Sequence, residues 1–177
     1  MFLADGFEII EAMAPLDMLT RAKVSVTTVG VTGKQVKASC GVTVTADITA
    51  DEFEFGNVEA IILPGGMPGT LNLENSAVVQ NAIDSAVDEG VPVCAICAAP
   101  SILGHKGLLN GCEATAFPGF ENALDGADLS ENYVVTDGLF TTARGAGVCI
   151  EFGLEIVKRL KGAEVAERIR QSIQCQP

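Results

Sequence analysis

VPVCAICAAPSIL, residues 91–103, decides the fold. Six apolar or β-branched-rich positions, Val91-Pro-Val-Cys-Ala-Ile96, read as a strand buried on both faces. Cys97 follows, and a helix is predicted over residues 98–105, ended by Gly107. A strand that turns directly into a helix is half of a parallel βαβ unit. The residues two away on each side of Cys97 are Ala95 and Ala99. A nucleophile elbow needs small residues there, because its tight turn brings those positions together. Pro100 falls in the first helical turn, where its missing N–H does no harm. The unpaired N–H groups of that turn would favour a thiolate, and the expectation is a Cys97 pKa below the free-thiol value of about 8.5. The segment alone also fits a small buried core thiol.

Outward from this segment, apolar runs alternate with helical patterns. Strands are predicted at residues 2–4, 24–29 and 58–63, and helices at 8–22, 76–89, 148–160 and 163–173. Ser76 caps the second helix. Residues 37–45 read as a hairpin around Gly41, and Asp137-Gly138 as the turn of another. The expected class is α/β with a mostly parallel central sheet covered on both faces, one domain over residues 1–177. Ligands of such sheets bind beyond the carboxyl ends of the strands. Chemistry is therefore expected just after Ala4, Leu63, Ile96 and Thr142.

Composition narrows the function. A chain of 177 residues can bury about 70% of its unfolded surface and needs no staple. Eleven Lys and Arg against 23 Asp and Glu leave a charge of −12, which repels nucleic acid and anionic membranes. Trp is absent and Tyr occurs once, so base stacking has little to work with. The longest uncharged central stretch, residues 91–104, is 14 residues with two prolines, too short and broken to span a membrane. No signal peptide is expected, since no basic stretch comes before the first apolar run, and six scattered cysteines read as reduced thiols in a cytoplasmic setting. Cys94 and Cys97 form a C-x-x-C, but three residues of strand span about 10 Å, beyond the roughly 7 Å a disulfide bridges. No second pair or histidine cluster completes a zinc site, so no metal and no cofactor are expected. The one histidine, His105, lies about 12 Å of helical rise from Cys97 and cannot serve it as base.

The other strand ends supply partners. Pro64-Gly65-Gly66 closes one strand, and its N–H groups can approach a ligand as an oxyanion hole. Glu11 sits early in the first helix on the apolar face, anomalous unless hydrogen-bonded. Glu8 reads as solvated or as a helix N-terminal charge. Arg144-Gly145-Ala146-Gly147 is a further pocket wall.

LADGFEIIEA (3–12), ILPGG (62–66), AICAAP (95–100) and TTARGAGVCIEFGLEIV (141–157) together resemble the ThiJ/PfpI superfamily, in the branch of Parkinson disease protein seven and bacterial YajL. The resemblance implies a flavodoxin-like three-layer sandwich that forms homodimers. It makes Cys97 the oxidation-prone nucleophile and Glu11 the acid that hydrogen-bonds it. Gly65, Gly66 and Ala98 become backbone donors facing the sulfur, and Arg21 reaches the partner's site. Arg144, Gly145 and Phe117 line the pocket. The implied activities are glyoxalase III-type conversion of α-oxoaldehydes, deglycation of early adducts, chaperone action and peroxide sensing. Three departures stand out. No histidine follows residue 105, so a Cys-His triad is excluded; Phe117 stands where human-type members carry histidine, which implies weaker glyoxalase activity; and Ala146 replaces a common proline. The first strand is expected to be short, because relatives carry several more residues before the position of Met1.

Overall fold

The computed structural model describes residues 1–175. Parallel strands β1 (Phe2–Leu3), β2 (Val29–Gly30) and β5 (Ile48–Thr49) pair in the order β1-β2-β5. Between them β3 (Gln35–Lys37) and β4 (Thr43–Thr45) form the expected hairpin, Val36 opposite Val44. Strands β6 (Ile61–Leu63), β7 (Val93–Ile96), β10 (Val134–Asp137) and β11 (Phe140–Ala143) make the second piece, in the order β10-β11-β7-β6. Only β10 runs antiparallel, joined to β11 through Asp137-Gly138. β1 runs alongside β6, which brings the two pieces edge to edge.

Helices cover both faces. Along β7, Cys94 and Ile96 face one core, and Val93 and Ala95 face the other. This is the period of two that a strand imposes. The Cys94 side holds α1 (Ile9–Arg21), α5 (Cys149–Lys161) and α6 (Ala163–Ser172), with Met18, Leu19, Phe152, Ile156 and Ile169 in its core. The Val93 side holds α2 (Gly69–Glu74), α3 (Ala77–Asp88) and α4 (Pro100–His105), with Leu73, Val79, Ile83, Ile102 and Leu103. The result is the expected flavodoxin-like sandwich. Gly153 lets α5 lie tightly on α1: a Cβ there would be 2.9 Å from the Pro15 Cα. A minor pair, β8 (Glu113–Ala114) with β9 (Asp128–Leu129), lies outside the main sheet.

Several expected elements are shorter than their apolar runs. The run 24–29 pairs only at Val29 and Gly30, because β1 offers partners only at Phe2 and Leu3. The run 58–63 becomes strand at Ile61, where it meets Val93 of β7. The helix after Cys97 starts at Pro100, two residues late, because the turn consumes Ala98 and Ala99. Ser76 does cap α3, accepting from the Val79 N–H. Among the described residues no helix is long and apolar enough to cross a membrane.

Candidate active site

Cys97 leaves β7 with φ of +65°, in the left-handed region that non-glycine residues rarely occupy. Such a conformation costs on the order of 1–3 kcal/mol and persists only where neighbours impose it. The neighbours are backbone: the Cys97 N–H donates to the Ala143 carbonyl at 2.8 Å, and the Cys97 carbonyl accepts from the Phe117 N–H at 2.8 Å. The elbow expected from Ala95 and Ala99 is formed, and its thiol is half-buried.

Glu11 approaches from the first turn of α1 and is 1% exposed. Its Oε2 accepts from the Gly65 N–H at 3.0 Å, and its carboxyl is hydrogen-bonded to the Cys97 side chain. Oε1 is buried with no partner. A carboxylate so poorly solvated is held toward its neutral form. Burial, opposed by the bonds to Cys97 and Gly65, raises the Glu11 pKa to about 7.

The sulfur does not behave as expected. Burial first, then the negative charge of Glu11, push the Cys97 thiol up to about 12, while the Ala98 and Gly66 N–H groups pull the other way. The expected depression fails for two reasons. Burial of the sulfur comes first, and the acid next to it is close enough to repel a thiolate. Both members being raised, the pair keeps one proton from near neutrality to strongly alkaline pH and titrates as a unit.

The glycine turn divides its labour. Gly66 and Ala98 direct N–H groups at the sulfur. Gly65, expected beside them, gives its N–H to Glu11 instead. A Cβ at Gly65 would lie 2.6 Å from Glu11 Oε2 and 2.7 Å from the Cys97 Cβ, so no side chain fits. The β6–α2 turn and the β1–α1 turn touch backbone to backbone: a Cβ at Gly66 would be 2.3 Å from the Glu8 nitrogen, and one at Gly69 2.6 Å from the Phe7 nitrogen.

Beyond the sulfur lies an open cavity of about 410 Å³, walled by Phe117, Tyr133, Arg144, Gly145, Ala146 and Val148 among others. A Cβ at Gly145 would sit 3.9 Å from the Cys97 Sγ, which places the thiol next to this wall of the cavity. Arg144, Gly145 and Phe117 all line this cavity. Arg21, expected at the partner's site, ends α1, ten residues or about 15 Å along the helix from Glu11 of its own chain, and pairs with Asp17 at 2.8 Å. His105 is exposed and bonded to Glu74, away from the thiol. Among the described residues no group of side chains could hold a metal.

Sequence reasoning missed two neighbours. Tyr133, the lone tyrosine, carries the Arg144 guanidinium 5.5 Å above its ring. Its signal was its rarity beside a hairpin. Cys149, at the start of α5, is buried, and burial, then Glu11, Glu8 and Cys97, raise it to about 12. Its apolar helix pattern concealed that it borders the acid.

Known proteins resemble this one along nearly the whole chain. The chain is 37% identical over 164 residues to the Arabidopsis thaliana protein DJ-1 homolog B, covering 92% of this chain. It spans 37% of that relative's length. It is 35% identical over 173 residues to the Danio rerio Parkinson disease protein 7 homolog, covering 95% of this chain and 92% of that one. A Pyrococcus abyssi protein named a deglycase is 31% identical over 161 residues, 89% of this chain and 96% of its own. The solved structure of oxidized Toxoplasma gondii DJ-1 superposes with a TM-score of 0.94 at 31% identity, covering 98% of this chain and 95% of that one. The family model described as DJ-1/PfpI matches residues 1–159, and the chain belongs to that family.

Proposed function

We propose that this chain is a cofactor-independent enzyme of the glyoxalase III and deglycase type, acting on α-oxoaldehydes or their early adducts. The observation that carries the reading is the bonded Cys97–Glu11 pair, with the Gly66 and Ala98 N–H groups aimed at the same sulfur. A thiol near 12 beside a carboxyl near 7 is a nucleophile with its base already in place.

Above neutral pH, Glu11 takes the thiol proton as Sγ bonds to the aldehyde carbon. The developing oxyanion is held by the Gly66 and Ala98 N–H groups and then protonated by Glu11, giving a hemithioacetal. Glu11, again ionised, removes the proton on that carbon, and the electron pair forms an enediol. Return of the proton to the neighbouring carbon leaves a carbinol there and a thioester at Cys97. Water cleaves the C–S bond, and the sulfur recovers its proton. One carbon is oxidised and its neighbour reduced, so aldehyde plus water gives a 2-hydroxy acid with no external oxidant. On an early adduct, the same attack at the carbinol carbon expels the amine. The relationship to the Pyrococcus deglycase supports this class. The test is lactate formation from methylglyoxal by the native protein and by Cys97→Ser. Product from both at equal rates overturns it.

A second reading is favoured by the oxidized state named for the Toxoplasma relative. In it Cys97 is a peroxide sensor or the switch of a chaperone. One peroxide gives an oxygen to the sulfur and leaves as water, a second repeats the step, and protonated Glu11 donates to the resulting sulfinate. In either role we read one domain over residues 1–177, a homodimer and a cytoplasmic setting. A mean hydropathy of +0.35 and the exposed Ile10 on α1 support the dimer. A sedimentation mass near 18.3 kDa would overturn the dimer.

A further inference from the structure

The cavity beside Cys97 is mostly apolar and too large for the smallest α-oxoaldehyde. At about 410 Å³ it falls among sites that enclose whole small molecules, whereas methylglyoxal brings only a methyl group beyond its two carbonyls. Its walls are Phe117 and Tyr133, with Pro118, Ala146 and Val148. Phe117 is 46% exposed and Tyr133 63%. Exposed aromatic rings around a concave floor mark a place where an apolar group is received.

Both rings are tied to the nucleophile through backbone. The Phe117 N–H donates to the carbonyl of Cys97 itself. On the other side, Cys97 donates to Ala143, and the next residue, Arg144, donates its N–H to the Tyr133 carbonyl at 2.9 Å. The Arg144 guanidinium laid on the Tyr133 ring stiffens that wall. Among the described residues no carboxylate stands within salt-bridge distance of Arg144. The main chain carrying both rings is therefore anchored relative to the nucleophile, as a side-group subsite requires. Gly145 borders both the cavity and the thiol: a Cβ there would meet the Phe117 ring at 3.1 Å and Sγ at 3.9 Å.

We propose that this cavity receives the side group of the substrate, and that the substrate is an α-oxoaldehyde bearing a flat aromatic or comparably bulky apolar group on its ketone carbon. The inference rests on the α-oxoaldehyde reading above. Phe117 and Tyr133 are its specificity-determining residues, with Arg144 as the positioning residue for Tyr133.

The experiment compares phenylglyoxal with methylglyoxal on the purified full chain. Product is quantified, mandelate against lactate, because arginine side chains consume aryl glyoxals without turnover. The kcat/KM for phenylglyoxal is expected to be at least about tenfold the higher, the scale on which apolar pockets discriminate. Tyr133→Ala and Phe117→Ala are expected to lower that ratio by about tenfold, chiefly through KM for phenylglyoxal. A binding readout separates the inference from the reaction: mandelate is expected to protect Cys97 from iodoacetamide at about a tenth of the lactate concentration required. Turnover of methylglyoxal as good as that of phenylglyoxal, with equal protection by the two acids, overturns the subsite and leaves the activity standing. Failure to form either product, with mandelate still protecting, overturns the activity and leaves the subsite standing.

Discussion

Cys94 and Cys97 stand three residues apart on one strand and its turn, and both thiols are pushed up to about 12. The causes differ. Cys94 is wholly buried in β7, and desolvation, with a lesser push from Glu155, raises it against the pull of Arg159 and a bond to Thr141. At Cys97 the charge of Glu11 adds to burial. A proton leaving Cys94 has no acceptor, whereas one leaving Cys97 has a carboxyl near 7 in contact with it. Resting thiolate content therefore does not distinguish the two sulfurs. The presence of a base and of a cavity does.

The comparison breaks first at the nucleophile. Cys97→Ser is expected to lose about 10⁴-fold in 2-hydroxy acid formation, while Cys94→Ala stays within about threefold, measured as kcat/KM with far-UV circular dichroism confirming the fold. Next, Glu11→Gln keeps the shape and removes the base, at an expected cost of about 10³ in rate. With the negative charge gone, the Cys97 thiol should titrate lower than in the native protein, and thiolate absorbance reads this directly. No shift would mean that Glu11 is not the second cause of the raised value. Peroxide tests access: peptide mapping after limited oxidation at pH 8 is expected to find oxygens on Cys97 at least about tenfold ahead of Cys94. Exposed Cys40 is the informative competitor, and its oxidation ahead of Cys97 would show that the proton stays on sulfur.

The smallest effect is on stability. A carboxyl raised from 4.5 to about 7 binds more proton in the folded than in the unfolded chain across that interval. Its contribution is complete below pH 4.5 and is lost as pH rises through 7, on the order of 3 kcal/mol at most. Denaturant unfolding at pH 4.5 and 8 should show this loss in the native protein and not in Glu11→Gln. The raised Cys97 thiol adds a similar fall only above pH 9.

The sheet, its helices and the elbow were legible because each rests on local pattern: the run into Ile96, alanines flanking Cys97, a glycine pair after Leu63. α2 was not, since Gly69, Thr70 and Asn72 have weak helix propensity and tertiary contacts hold that turn, the packing of Leu73 and the Asn72 bond to the Asp5 carbonyl among them. Strand lengths failed where pairing, rather than composition, sets the boundary, as at Val29. Glu11 and Cys97 could be placed, but the rise of the Cys97 thiol could not. It depends on burial and a contact between residues 86 positions apart in the chain. The cavity walls were only partly visible for the same reason: Phe117, Tyr133 and Val148 meet through hydrogen bonds to a backbone that sequence spacing does not display.

The contact of Gly66 and Gly69 with the main chain of Phe7 and Glu8 has a consequence for how such a molecule can change. With no side chain between the two turns, the spacing of acid and donors is a fixed gauge, and no substitution there adjusts it by a fraction of an ångström. Divergence on this side can only break the machine. The opposite wall is made of interchangeable parts, so a library randomised at 117, 133, 146 and 148 should yield catalysts of altered taste, and one randomised at 66 and 69 should yield mostly unfolded chains.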